Sequence, residues 1–158
     1  DTLSLHDALP IWGFLMANED LLSPAKGIVD VIAAAVPDIT TGWDFSVGGW
    51  TETPDAQITV IDRGGLTAEP NVAVDYPSVQ ILGRGSSAPG GYEALYAEMV
   101  KVRNVLLGIS KPTAWPQLTQ VNQVGHIAQV GKDDKGRPQL SLNLRLILSF
   151  DSSGLRVL

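Results

Sequence analysis

The chain has 158 residues, 44% of them hydrophobic and 18% charged, which is enough apolar side chain for one domain with a core and too much for a disordered chain. It contains no cysteine, so disulfides, thiolate catalysis and cysteine-ligated zinc are excluded, and a reducing compartment is the default. The formal net charge is -6 with no cluster of lysine and arginine, which argues against sequence-independent binding to nucleic-acid phosphates.

The first eleven residues, DTLSLHDALPI, resemble the read-through translation of a common DNA-sequencing adapter. Residues 1–15 are therefore read as a non-native leader, and 16–158 as a single domain that opens at Met16 with MANEDLL. A secretory signal is the competing reading, but there is no basic n-region, and no clear small-residue cleavage site follows the apolar run Ile11 to Ala17. Without Asp1 and Asp7 the 17 acids become 15 against 11 bases, a net charge of -4.

Asn18, Glu19 and Asp20 are helix-start residues, and Leu21, Leu22, Ala25, Ile28, Val29, Ile32 and Val36 then keep helical spacing. Ser23-Pro24 offers a second cap and first-turn proline, and Pro37-Asp38 stops the helix. Trp43, Phe45, Val47 and Trp50 alternate among Thr, Ser and Gly, the pattern of a short strand or an ordered loop. QITVID, residues 57–62, is a clearer strand, Arg63-Gly64-Gly65 reads as a turn, and Leu66 to Asp75 has no period and is expected to cross the surface.

Ser78 to Arg84 is a strand with one buried face, preceded by Tyr76-Pro77. From Gly91 the period changes: Tyr92, Leu95, Tyr96, Met99, Val102, Arg103 and Leu106 form the core-facing stripe of a helix, with Glu93, Glu98, Lys101 and Asn104 outside it. Gly108 stands where a left-handed helix-ending residue belongs, with Pro112 beyond. KPTAWPQL wraps an edge before two β-type runs, Leu118 to Val124 and His126 to Lys132, with Gly125 between them as a bulge or bend. Asp133-Asp134-Lys135-Gly136 is a hairpin turn. In the strand beyond it, Leu140, Leu142, Leu144, Leu146, Leu148 and Phe150 alternate with more polar partners. The tail from Asp151 to Leu158 is expected to fray or to pack on a neighbour.

The fold class expected is α+β: a largely antiparallel or mixed sheet of about five to six strands carrying two helices, with no βαβ repeat. No apolar stretch is long enough to span a membrane, since Gly27 to Val36 is short and carries Asp30.

Chemistry is not marked. The Gly83 to Gly91 loop joins a strand to a helix but has neither Gly-Lys-Ser/Thr at the helix start nor the third glycine of a dinucleotide loop, so a flexible surface loop outweighs a phosphate site. His126 has no acid at metal-ligand spacing and is read as a half-buried structural residue. The acids are scattered singly, so no acid–base pair stands out. No catalytic residue, cofactor or metal is therefore assigned. Trp43, Trp50 and Trp115 serve either an interface or the core.

With these elements laid out, residues 16–150 resemble the minor capsid and tail terminator proteins of long-tailed bacteriophages. The resemblance lies in the opening helix NEDLLSPAKGIVDVIAAAV, the strand PSVQILGRG, the helix YEALYAEMVKVRNVLLG and the closing DDKGRPQLSLNLRLILSF. It implies a non-enzymatic virion protein, assembled in the host cytoplasm, that forms a ring with copies of itself, expected to be a hexamer. The ring would cap the tail tube protein and meet the head-tail connector, with no membrane and no specific nucleic-acid partner. On that reading the subunit interface draws on Arg84, Ser86, Gly90, Trp115, Asp134 and Arg137, the two arginines pairing with acids across the seam. The alternatives from other classes are a ligand- or partner-binding α+β module and a small hydrolase.

Overall fold

Ser23 and Pro24 set the start of the first described helix. The computed structural model describes residues 22–35, 42–69 and 73–150, and in it α1 spans Pro24–Ala35. The Ser23 hydroxyl accepts from the Lys26 N–H (3.1 Å), and Asp62 Oδ1 accepts from the Ala25 N–H (2.8 Å), so two first-turn donors are satisfied. The expected earlier start at Asn18 to Leu21 and the stop at Pro37-Asp38 lie outside the described residues, as do the leader and the tail.

Five strands follow: β1 (Asp44–Val47), β2 (Gln57–Glu69), β3 (Val74–Arg84), β4 (Leu118–Lys132) and β5 (Pro138–Ser149), with α2 (Gly91–Leu107) between β3 and β4. The sheet order is β1-β2-β3-β5-β4, with β1 parallel to β2 and every other pair antiparallel. The fold is therefore α+β: among the described residues two helices lie on a five-stranded mixed sheet, as the sequence pattern implied.

Register decides which face carries the helices. Ile58, Gly83 and Leu140 are neighbours across three strands, as are Val60, Ile81 and Leu142, while Val79 pairs with Leu144. The side chains of Ile58, Val60, Val79, Ile81, Leu140, Leu142 and Leu144 are buried with Ala25, Ile28, Val31 and Ile32 of α1 and Leu95, Met99, Val102 and Leu106 of α2. Gly83 is where α2 comes closest: a Cβ there would stand 2.6 Å from Leu95 Cδ1 and 2.9 Å from Met99 Sδ. The alternate residues, including Thr59, Leu82, Arg84 and Ser141, lie on the opposite, outer face.

Several local expectations are corrected. Arg63-Gly64-Gly65 does not end β2: Gly64 (φ 79) and Gly65 (φ 128) form a bulge opposite Pro77, and the strand continues to Glu69. Proline lacks the ladder N–H, so the irregularity falls where pairing would fail in any case. Leu66 to Asp75 is accordingly strand at both ends, with 70–72 outside the described residues. Gly125 (φ 75) is a bulge within one long β4, and the register shifts between Val124 and Ala128.

On α2 the stripe is rotated from the expected one. Gly91, Leu95, Glu98, Met99, Val102 and Leu106 are buried, whereas Tyr92 and Tyr96 are exposed and stack on each other, their ring centroids 6.4 Å apart. The face centred on Leu95 and Val102 takes in position 98 and leaves the two tyrosines at its rim, where a ring with a polar end is at home. Gly108 is right-handed (φ -88); the positive φ in this turn belongs to Lys111 (φ 48). His126 is exposed, not half-buried.

Candidate assembly surface

At one end of the sheet the outer face is not bare. Gln57, Arg84 and Gln139 are register neighbours on β2, β3 and β5, and the loop from Gly48 to Ala56 is held against them. The Gln57 amide is bonded on both ends: its Oε1 accepts from the Thr51 N–H (2.9 Å), and its Nε2 donates to Thr51 O (3.1 Å) and Pro54 O (2.6 Å). Thr59 Oγ1 accepts from the Gly49 N–H at 2.9 Å.

Arg84 carries most of the loop. Only 2% exposed, its guanidinium donates to four backbone carbonyls: Asp55 through Nε (3.2 Å), and Thr51 (2.7 Å), Glu52 (3.2 Å) and Pro54 (2.9 Å) through NH2. The Trp50 ring lies under it, 5.5 Å from ring centroid to Cζ. A planar fork of five donors suits a turn that points several carbonyls inward, which an ammonium could not match. Burial, and then the charge of Arg137, lower its pKa from the usual arginine value.

Arg137 closes the same loop from the β4–β5 hairpin. Its NH1 donates to Glu52 O (2.8 Å) and Asp55 Oδ1 (3.1 Å), and its Nε to Asp133 Oδ2 (2.7 Å). Asp133 is the hairpin's own organiser, since Oδ1 accepts from the Lys135 N–H (3.0 Å) and the Arg137 N–H (2.9 Å). Lys135 Nζ in turn pairs with Glu52. Burial opposes ionisation of Asp133, but the hydrogen bonds from Arg137 and Lys135 prevail and hold its carboxyl below the usual range. Glu52 is lowered chiefly by its hydrogen bond and charge interaction with Lys135.

The other side of this end is the loop after β3. Ser86 to Gly91, with Lys132, Gly136 and Pro138, lines a shallow depression of about 300 Å³ at the start of α2. The Gly85 N–H donates to Pro138 O (3.0 Å), so the loop and the hairpin are fastened together. Gly90 is left-handed (φ 82) and opens α2.

The structure thus gathers five of the six sequence-selected residues, Arg84, Ser86, Gly90, Asp134 and Arg137, at one end of the sheet. Trp115 is apart from them, 2% exposed and packed against Gly27 in the core. Both arginine side chains are engaged within the chain, so what this end presents outward is the loop they hold. Sequence reading missed Glu52, Asp55, Gln57 and the organising role of Asp133. A signal existed for Gln57 and Arg84, because both occupy outer-face positions of their strands; no local pattern points to the loop.

Chemically the arrangement is a clamp. Its charged groups neutralise one another, and among the described residues no group of three or more His, Asp or Glu side chains is placed to hold a metal. No helix among the described residues is long and apolar enough to cross a membrane. A family model described as Bacteriophage tail terminator protein matches residues 25–150, from the first turn of α1 to the residue after β5. No curated protein matches the chain.

Proposed function

We propose that this chain, which belongs to the bacteriophage tail terminator family and is therefore a structural protein of the phage tail, acts as a ring of identical subunits that stops tail-tube growth and presents a surface to the head. The observation that carries this reading is the family match across both described helices and the five described strands. A ring closes only through heterologous contacts, in which one patch meets a different patch on the next copy. The end of the sheet formed by the clamped Gly48–Ala56 loop, the Asp133–Arg137 hairpin and the Ser86–Gly91 loop is the first patch. Its outline is fixed by Arg84 and Arg137 before any neighbour arrives, so little ordering cost falls on assembly. In the ring these arginines act through the loop they hold.

The ring is a hexamer with no catalytic turnover, its partners are the tail tube protein and the head-tail connector, and assembly takes place in the host cytoplasm. The net charge of -6 suits a lumen through which DNA slides, because a basic one would retain phosphates. Phage particles made without this protein should carry tubes of abnormal length or heads without tails, and negative-stain images of the purified protein on tube ends should show a closed ring. Normal, infectious particles assembled in its absence would refute the reading.

A further inference from the structure

The described sheet is open at both sides. β1 and β4 are its edge strands, and each leaves a row of backbone groups unpaired. In β1 the Asp44 N–H donates to Ala56 O (3.3 Å) and the Gly48 N–H to Val60 O (2.9 Å). Even-numbered residues of β1 therefore face β2, and Phe45 and Val47 turn their N–H and C=O outward. In β5 the Ser149 N–H donates to Gln117 O and the Phe150 N–H to Ala73 O, both at 2.9 Å, so its odd-numbered residues face β4. Their partners Gln120, Asn122 and Val124 are thereby engaged, and Val121 and Gln123 turn outward. Among the described residues no hydrogen bond reaches the outward groups of these four positions.

We infer that β4 of one subunit pairs antiparallel with β1 of the next copy, Val121 opposite Val47 and Gln123 opposite Phe45, so that the sheet runs on from subunit to subunit. This rests on the ring reading above and names the seam that closes it.

The two edges fit in face, direction, length and charge. Residues opposite each other in an antiparallel pair point their side chains to the same face. Phe45 and Val47 are neighbours of Ile58 and Val60, and Val121 and Gln123 of Leu146 and Leu144, so all four belong to the helix-bearing face. The pairing thus sets the helix-bearing faces of two copies side by side; had one edge turned out residues of the other face, one layer of helices would be inverted. β1 runs opposite to β4 within the sheet, and rotation about an axis along the strands preserves direction, so neighbouring edges meet antiparallel.

Length sets the register. The Lys111 N–H donates to Leu118 O (2.7 Å) and Ser110 Oγ to Thr119 O (3.0 Å), and the ladder with β5 shifts after Val124. Residues 120–124 are left as a regular free run to receive the four residues of β1. β4 carries Lys132 and no acid, whereas residues 42–50 carry Asp44 and no base, so the edges attract. Neither Asp44 nor Lys132 has an ion-pair partner among the described residues.

Because the chain contains no cysteine, disulfide trapping tests the seam cleanly. In this register Ser46 and Asn122 of adjacent copies face each other, their Cα atoms about 4.5 Å apart, within the range that a disulfide bridges. Ser46→Cys with Asn122→Cys, assembled on tube ends and oxidised, should give a ladder of covalent multimers up to the whole ring on a non-reducing gel. Each single variant should stay monomeric on the gel. Closed rings without that ladder would overturn the seam and leave the ring standing, whereas tube ends without rings would overturn both. Dimers from Asn122→Cys alone would mean that β4 pairs with itself, which also overturns the inference. Hydrogen exchange on the unaltered chain is the second measurement: the amides of Phe45, Val47, Val121 and Gln123 should gain protection on assembly, and unchanged exchange at all four would overturn the seam.

Discussion

Gly27 of α1 and Trp115 of the loop before β4 meet so closely that a Cβ at position 27 would stand 2.5 Å from indole Cδ2 and Cε3. Glycine is a poor residue for a helix interior, costing about 1 kcal/mol relative to alanine, so a propensity argument alone favours Gly27→Ala. The geometry reverses the sign, because the rigid indole is itself buried and overpacking a core costs about 1–3 kcal/mol. Gly27→Ala should therefore lower the melting temperature, and the double variant Gly27→Ala with Trp115→Leu should lose less than the two single variants added together. A Gly27→Ala protein that melts above the parent would show that α1 slides away from the indole freely.

The long final strand supplies a paired test of orientation. Leu144 is buried opposite Val79, while Asn143, its neighbour in sequence, is exposed on the outer face. An unpaired buried charge costs several kcal/mol, comparable with a whole domain's stability of about 5–15 kcal/mol. Leu144→Arg should thus abolish soluble folded protein and Asn143→Arg should leave yield and melting unchanged. Equal melts for the two would mean that the register across β3 and β5 is wrong.

How much of this was legible beforehand follows from how local each cause is. The alternation of Leu140 to Leu148 was readable because an inward-facing strand writes a period of two into its own sequence, and α2 was readable at a period of 3.6. Gly64-Gly65 was not, because the same glycines suit a turn or a bulge, and the choice rests on Pro77 across the ladder. The clamp was less legible still: Arg137 reaches Glu52 and Asp55 over 85 and 82 residues of sequence, and no spacing rule connects them. Glu98 was placed outside because charge usually marks the solvated side, and here packing of Leu95 and Val102 takes it inward.

Removing the Arg84 guanidinium should loosen the loop without unfolding the sheet. Arg84→Met leaves the carbonyls of Thr51, Glu52, Pro54 and Asp55 without its four donations, a loss of roughly 2–4 kcal/mol on the scale of buried charged hydrogen bonds. Arg84→Lys should recover only part of this, since an ammonium lacks the planar fork. Hydrogen exchange should report faster opening of residues 49–56 while β3 and β5 keep their protection. A lysine variant as stable as the parent would mean that charge, and not the fork, holds the loop.

The pH dependence of stability should carry the mark of Glu98, which is 4% exposed, has Oε1 without a hydrogen-bond partner among the described residues, and has a single weak ion pair with Lys101 at 3.9 Å. Burial raises its pKa, and Lys101 offsets this only in part. The folded protein therefore holds this proton at pH values where the unfolded chain, titrating near about 4.3, has released it. Stability falls as pH rises from the unfolded value through the folded one, and stays lowered above. Glu98→Gln removes the ionisation and keeps the shape of the protonated acid. Its melting temperature should exceed the parent's at neutral pH, and the gap should shrink toward zero as pH falls to about 4. Asp133 has the opposite sign: its lowered pKa contributes stability above the ordinary aspartate value that is lost as pH falls, so Asp133→Asn should flatten the acid limb that Glu98→Gln leaves in place. Parallel melting curves for Glu98→Gln and the parent from pH 4 to 8 would mean that the carboxylate reaches water in solution.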